Sequence, residues 1–387
     1  MSFVSRFDEF HEQAAAAIGL SDFGPNDYQA PLRILLDDLD ASARFSPEGA
    51  QIGAGTIIGK LVGRLFTEQG FKTYPQFAAA RIEKPIIIIG MPRTGTTALQ
   101  RIMAADPAIQ ALDLWLGSMP MPRPPRETWE NNPVFQGVRA GLDQMLGLNP
   151  RIKDIHPLFP EQPDECRAAL DQTFWATSLA QTMSAPNYGE WCLAADATYA
   201  YERYHQILRL IAGGDKRRWL LKNPDHIWAL DALLTAFPDA CIVQTHRDLA
   251  ISMPSVCSLS YEVSRLYAPD KSRLQHGDET RIWMRALEKA EAVRSTADPA
   301  RFFDLHNDEI QADPVGAVER IYAHFGMPVD DGARHAWHAR IQDDPRSSHG
   351  VHRYNLQDWG LTAAGVWAEA KTYHKRYVAL CQERNIK

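Results

Sequence analysis

The sequence has few cysteines, and none of them forms a closely spaced pair. Five cysteines occur among 387 residues, and no Cys-x-x-Cys motif is present. Small secreted domains and many metal sites need paired cysteines, so we expect these thiols to be free in a reducing, cytoplasmic compartment. The first ten residues carry two acids and an arginine and no apolar run, and no signal peptide is predicted there.

The sequence also lacks a long apolar run and an excess of basic residues. A membrane-spanning helix needs roughly 18 or more apolar residues, and no run approaches that length, so no transmembrane segment is predicted. The formal net charge is −7, which argues against nucleic acid as a partner. Hydrophobic residues make up 45% of the chain and charged residues 23%, as in ordinary globular proteins. Because the net charge is negative, any bound anion must be held by a local cluster of hydrogen-bond donors.

Strand and helix patterns alternate along most of the chain. Residues 84–90 contain four consecutive isoleucines, which is typical of a central parallel strand buried on both faces. Further strands are predicted at 218–222, 240–245 and 302–306. Helices are predicted at 94–105, 224–237, 314–325 and from the end of the third strand to about residue 259. This alternation predicts an α/β fold in which helices flank a parallel β-sheet.

Three segments stand outside the alternation. Residues 1–83 show helical spacing and are predicted to form a helical N-terminal extension to a domain at 84–387. Residues 118–163, rich in proline, methionine and tryptophan, and residues 342–360, which contain glycine and histidine, are long connections. Long connections in compact domains are usually functional lids or disordered linkers, and a lid is the preferred interpretation for both.

A phosphate-binding loop is predicted between the first strand and its helix. Residues 90–97 read GMPRTGTT, with the GxxxxG spacing that lets backbone N–H groups and a helix N-terminus face one anion. Nucleoside-triphosphate loops of this kind place a lysine after the second glycine. Here that position is Thr96, and the cation is Arg93 instead. The loop is therefore built for an anion but lacks the usual triphosphate lysine.

The stretch PRTGTT at 92–97 resembles the 5′-phosphosulfate loop of sulfotransferases that use 3′-phosphoadenosine-5′-phosphosulfate (PAPS). This resemblance implies a P-loop-like sulfotransferase fold, as in bacterial members of the superfamily. It assigns the 5′-phosphosulfate to Arg93, Thr94, Gly95, Thr96 and Thr97.

A second motif agrees with the first. Arg247 follows the strand at 240–245, and Ser255 lies eight positions later. The resemblance implies that this pair binds the 3′-phosphate, a role that suits the planar guanidinium of arginine.

A third segment extends the resemblance to about residue 362. The stretch RSSHGVHRY at 346–354, followed by DWGL at 358–361, resembles the family's loop that folds over the nucleotide. On this basis Arg346, Gly350 and His352 are expected to contact the donor. The alternative is a solvated basic loop without a ligand.

The resemblance implies in-line sulfuryl transfer without a metal ion and the release of 3′-phosphoadenosine-5′-phosphate (PAP). Arg93 and Lys222 are the expected catalytic cations; for Lys222 the alternative is a solvent-exposed lysine at a strand end. An attacking hydroxyl needs a general base. His226 and Glu165 are the preferred candidates, and the sequence leaves the choice open. The further candidates are Asp164, His156 and Asp113.

The expected acceptor is the hydroxyl of a small molecule. Ten tryptophans and ten methionines are compatible with a lipid or another apolar alcohol, and equally with core packing. The pocket is predicted to involve residues 118–163 and the aromatic region of Phe174, Trp175 and Trp191. Two alternatives remain: a P-loop kinase or NTPase, and a non-catalytic nucleotide-binding protein of the same fold. The sequence leaves the oligomeric state open.

Overall fold

A computed structural model describes residues 2–155, 157–343 and 355–386. The predicted donor-covering positions Arg346, Gly350 and His352 lie outside the described residues, as does the base candidate His156. Their roles therefore remain predictions from the sequence.

In the described part of the chain, five parallel strands form one sheet. Their bounds are β1 Ile86–Gly90, β2 Ile109–Ala111, β3 Arg218–Lys222, β4 Cys241–His246 and β5 Phe302–His306. The spatial order is β2-β3-β1-β4-β5, so β1 lies in the centre. Ile88 is in register with Lys222 of β3, and Gly90 with Thr245 of β4. The carboxyl ends of these strands therefore meet at one edge, and the predicted parallel α/β fold is confirmed.

The central strand is buried on both faces, as its four isoleucines predict. Ile87 and Ile89 belong to the larger hydrophobic core, whereas Ile86 and Ile88 belong to a smaller one on the other side of the sheet. Successive side chains of a strand point to opposite faces, so an uninterrupted apolar run is what a strand between two cores requires.

The N-terminal extension is helical, as predicted. Its helices are α1 Phe7–Ile18, α2 Gln29–Ser42 and α3 Pro47–Thr73. Phe10 and Leu32 pack in the same core cluster as Ile87 of the central strand. Burial of this apolar surface is the main force that holds the extension on the domain. The boundary at residue 83 remains a prediction.

Arg64 on α3 ties the extension together. Its side chain is fully buried and donates to the carbonyls of Phe23 and Pro25 at 2.6 Å each. It also donates to the Gln172 carbonyl at 3.2 Å and pairs with Asp27 at 3.0 Å. Burial lowers the pKa of Arg64 to about 10. These bonds connect the α1–α2 linker with a buried turn of the main domain.

The remaining helices cover both faces of the sheet and the carboxyl edge. In chain order they are α4 Thr96–Met103, α5 Leu114–Ser118, α6 Pro133–Leu148, α7 Pro150–Ile155, α8 Arg167–Leu170, α9 Thr177–Thr182, α10 Pro186–Ala194, α11 Thr198–Ala212, α12 Leu230–Ala236, α13 Leu249–Ser264, α14 Arg273–Thr280, α15 Ile282–Arg294, α16 Asn307–Ala312, α17 Pro314–His324, α18 Asp331–Gln342, α19 Ala363–Glu369 and α20 Lys371–Arg384.

The segment 118–163 is not a plain loop. It contains α6, α7 and a short 3-10 helix at Arg126–Asn131. Within α6 only Phe135 is fully buried, and its ring packs against Trp115 and Trp129. The prediction of a long irregular connection is wrong for this stretch, whereas its role as a lid stays a prediction.

All five cysteines are free thiols, and four of them are buried. Among the described helices, none combines the length and the apolar character needed to cross a membrane.

Candidate active site at the phosphate loop

The loop between β1 and α4 has the curled backbone that its glycines predict. Gly90 has a φ of 134° and Gly95 a φ of 95°, both in a region that favours glycine. A Cβ atom on Gly90 would lie 2.6 Å from the Thr245 carbonyl oxygen. A Cβ on Gly95 would lie 2.7 Å from the Asn307 side-chain oxygen. A larger residue at Gly90 would meet the backbone of β4, and one at Gly95 would have to displace the Asn307 side chain and adopt a positive φ.

The hydroxyl of Thr94 is used within the loop itself. This buried side chain donates to the Met91 carbonyl at 2.6 Å and shares a 2.6 Å hydrogen bond with the Thr245 hydroxyl. A contribution of Thr94 to a bound anion would therefore come from its backbone N–H.

Arg93, Arg247 and Ser255 meet beside this loop. The Nε atom of Arg93 donates to the Ser255 hydroxyl at 3.1 Å, and Arg247 donates to the Arg93 carbonyl at 3.1 Å. Arg93 has a φ of 71°, which is uncommon for a residue other than glycine. These bonds hold Arg93 in that conformation and bring it into contact with Arg247 and Ser255. From the sequence, Arg93 is expected at the 5′-phosphosulfate and the other two residues at the 3′-phosphate, and those roles stay predictions.

Lys222 lies on the other side of the loop, at the end of β3. Its side chain has no exposed surface, so the alternative of a solvent-exposed strand-end lysine is wrong. The ammonium is 3.4 Å from the Thr97 hydroxyl and donates to a Glu165 carboxylate oxygen at 3.1 Å. The Asp164 carboxylate lies farther away, at 4.0 Å. A buried cation is thus held between the phosphate loop and a carboxylate.

Glu165 has two cationic neighbours and remains partly accessible. Its side chain is 15% exposed, and its second oxygen lies 3.6 Å from the Arg167 guanidinium. The adjacent Cys166 N–H donates to the Lys222 carbonyl at 2.9 Å, which fixes this segment against β3. Glu165 is therefore partly open to solvent while its position is held by the sheet.

His226 is enclosed by protein. Its Nδ1 atom is 2.8 Å from the Tyr201 hydroxyl, whereas Nε2 is buried and has no hydrogen-bond partner among the described residues. Burial lowers the pKa of His226 to about 3, although the charge of Glu165 acts in the opposite direction. A neutral imidazole of such low basicity, away from the surface, is a poor proton acceptor.

Comparison with known proteins identifies the family of the chain. A model described as "Sulfotransferase family" matches residues 85–331. The chain belongs to the sulfotransferase family.

Two curated relatives of this chain are mycobacterial sulfotransferases. The chain is 28% identical over 257 residues to the omega-hydroxy-beta-dihydromenaquinone-9 sulfotransferase Stf3 of Mycobacterium tuberculosis and that of Mycobacterium bovis. That alignment spans 63% of this chain and 63% of the relatives.

The structural matches cover almost the whole sulfotransferase chain. The crystal structure of sulfotransferase STF1 from Mycobacterium tuberculosis H37Rv has a TM-score of 0.86 at 37% identity, over 96% of this chain and 99% of that one. STF9 from Mycobacterium avium has a TM-score of 0.85 at 25% identity, over 95% and 96%. The helical N-terminal extension is therefore part of the architecture that this sulfotransferase shares with both.

Two groups of residues named from the sequence lie elsewhere in this sulfotransferase. The Asp113 carboxylate pairs with Arg123 at 2.6 Å, and burial raises the pKa of Asp113 to about 6. Phe174 and Trp175 are fully buried in the larger core, so their prediction as pocket-lining residues is wrong. Trp191 is partly buried and packs against that core.

Two neighbours of the sulfotransferase site escaped the sequence reasoning. Arg167, two residues after Glu165, offers a local charge signal that could have been used. Tyr201 is 25 positions from His226, and no pattern in the sequence connects them. Among the described residues there is no cluster of three or more metal-ligating side chains, and transfer without a metal stays a prediction.

Proposed function

We propose that this chain transfers a sulfuryl group from PAPS to the hydroxyl of a small apolar acceptor. The observation that carries the proposal is the buried Lys222 ammonium, placed between the Thr97 hydroxyl and the Glu165 carboxylate. Transfer to a hydroxyl needs a cation where negative charge develops on the leaving group and a base where a proton is released. Both groups occur here side by side.

The residues around the loop suit a donor that carries two separate phosphate groups. The positive φ at Gly90 and Gly95 opens the backbone for a 5′-phosphosulfate, and the start of α4 adds the positive end of its dipole. Arg247 and Ser255 would hold the 3′-phosphate. The bond from Arg93 to Ser255 would then be exchanged for bonds to the donor, because both groups are hydrogen-bond donors that an anion attracts.

In the proposed reaction the acceptor oxygen forms a bond to sulfur while the bond from sulfur to the 5′-phosphate oxygen breaks. Glu165 accepts the hydroxyl proton on a carboxylate oxygen, since it is partly exposed whereas His226 is not. Arg93 and Lys222 stabilise the negative charge on the departing phosphate. Lys222 also holds Glu165 in place until the donor attracts the ammonium.

Two observations favour an apolar acceptor. The relative Stf3 is named for its action on a hydroxylated menaquinone, which is a lipid alcohol. In this chain, α6 presents apolar side chains that are only partly buried at Val138, Leu142 and Met145, and Leu148 is 55% exposed. A partly exposed apolar helix face of this kind suits contact with a hydrocarbon chain.

Calorimetric titration with PAP, in parallel with ATP and Mg²⁺, tests the donor. Loss of one charge-assisted interaction costs about 1.5–3 kcal/mol, so Arg247→Ala should weaken PAP binding roughly 10- to 150-fold. Arg265→Ala, at the exposed end of α13, is the matched control and should bind as the wild type does.

Preferential binding of ATP with Mg²⁺ would contradict the proposal and favour a kinase. Binding of PAP without transfer from PAPS to long-chain alcohols, followed by mass spectrometry, would favour a non-catalytic protein. Transfer to long-chain but not to short-chain alcohols is the expected result.

A further inference from the structure

A hydrogen-bonded pair of aromatic side chains lies just beyond the end of β3. Tyr201 on α11 and His226 after β3 are both fully buried, and 2.8 Å separates the phenol oxygen from Nδ1. Burial lowers the pKa of His226, and the charge of Glu165 acts in the opposite direction, so the carboxylate and the imidazole interact electrostatically. The reaction as proposed so far gives this buried pair no role.

The protonation states of the pair follow from burial. Burial raises the pKa of Tyr201 well above 10, so the phenol keeps its proton. Burial also keeps His226 neutral at pH 7, with a proton on only one ring nitrogen. A phenol is a stronger hydrogen-bond donor than acceptor, so its O–H donates to Nδ1. The single imidazole proton is then left on Nε2.

Resting on the proposed function, we propose that Tyr201 is a positioning residue that fixes His226 as the Nε2–H tautomer. His226 then serves the transfer as a hydrogen-bond donor beside Glu165, and it does not take the acceptor's proton.

The unsatisfied Nε2 atom supports this role. It is buried without a hydrogen-bond partner among the described residues, and buried polar atoms in that condition usually serve a ligand, a water molecule or a second state of the site. Glu165 is bonded to Lys222 in this structure. When the donor draws the ammonium away, the carboxylate loses that bond, and the Nε2–H group can replace it. The base would thereby stay oriented while it receives the proton.

Nitrogen-15 NMR of the histidine-labelled protein tests the tautomer without any need for activity. His226 should show a protonated Nε2 and an unprotonated Nδ1 that do not change between pH 5 and pH 9. Tyr201→Phe should produce a mixture of tautomers. Tyr204→Phe is the matched control: it removes another buried hydroxyl on α11, from a ring centred 6.1 Å from the imidazole, and should leave the spectrum unchanged. A protonated Nδ1, or titration within this pH range, would overturn the assignment.

Rates with PAPS test the role in transfer. Glutamine keeps an N–H near the position of Nε2 but cannot accept a proton, so His226→Gln should stay within about tenfold of the wild-type kcat, with KM little changed. His226→Leu should lose more than His226→Gln. Loss of a general base lowers rates by about 10²–10⁴, so equal losses of that size in both variants would identify His226 as the base and refute the proposal. Absence of transfer by the wild type would refute the role together with the proposed function, whereas the NMR result would still decide the tautomer.

Discussion

The Lys222–Glu165 pair predicts an asymmetric loss of stability. The Lys222 side chain has no exposed surface, and Glu165→Met removes its main partner. Among the described residues, the nearest remaining carboxylate is that of Asp164, 4.0 Å away. Lys222→Met leaves a carboxylate that is 15% exposed and has Arg167 at 3.6 Å. The unpaired Lys222 ammonium is therefore solvated less well than the unpaired Glu165 carboxylate. Glu165→Met should cost more stability than Lys222→Met.

The magnitudes follow from burial. Removal of one partner from a buried ion pair typically costs about 3–5 kcal/mol. We expect about 3 kcal/mol for Glu165→Met, because Asp164 still offsets part of the charge. For Lys222→Met we expect about 1–2 kcal/mol, because water and Arg167 solvate the remaining carboxylate. The loss of stability in the double variant should be smaller than the sum of the two single losses by about 1–2 kcal/mol, because the two side chains are in contact and their effects are coupled.

Urea unfolding at pH 7, followed by tryptophan fluorescence, measures these differences. The exposed pair of Arg139 and Glu130 provides the control, since Glu130→Met should change stability by no more than about 0.5 kcal/mol. A cost for Lys222→Met equal to or above that of Glu165→Met would refute the reasoning. Strict additivity in the double variant would do the same.

Three further predictions concern the loop, pH and the extension. Gly95→Ala puts a Cβ 2.7 Å from the Asn307 side-chain oxygen, so PAP binding measured by calorimetry should weaken, and unchanged affinity would contradict the steric argument. Burial raises the pKa of Asp225 to about 7. Between about pH 4 and 7 the folded protein therefore binds more protons than the unfolded chain, and the stability that Asp225 contributes falls as the pH rises through this window. Asp225→Asn should remove this pH dependence of the unfolding free energy, measured by urea unfolding. Parallel pH profiles for the variant and the wild type would contradict the prediction. Arg64→Met should lower the free energy of unfolding by about 3 kcal/mol or more and speed proteolytic cleavage in the α1–α2 linker, residues 19–28. A variant as resistant to protease as the wild type would show that the buried bonds of Arg64 do not hold this linker.

Features with a local cause were predictable from the sequence. The strands at 218–222 and 302–306 have the predicted bounds, because short runs rich in aromatic residues and leucine, placed between turn signals, define them. The helix predicted at 224–237 is instead a 3-10 helix at Pro224–Ala229 followed by α12. The Asn223 side-chain oxygen accepts a hydrogen bond from the Asp225 N–H, and the Asn223 backbone carbonyl accepts one from the His226 N–H. These two bonds tighten the first turn into a 3-10 helix.

Features that depend on partners distant in sequence were not predictable. Strand β2 has only three residues, too few for a period, and it is a strand because it pairs with β3. The contact between Arg93 and Ser255 spans 162 positions, so the motifs named both residues but could not bring them together. Within 118–163, the proline-rich composition concealed a signal that was present: Asn132 caps α6 and Pro133 is its first residue.

The central strand has a consequence for how the protein can change over generations. Ile86 to Ile89 contribute to both cores, so a volume change on either side of the sheet is transmitted to the turn that follows Gly90. In helix α6 only Phe135 is fully buried. We therefore expect descendants of this chain to accept substitutions on α6, where the proposed function places the acceptor, more readily than substitutions in the loop that follows Gly90.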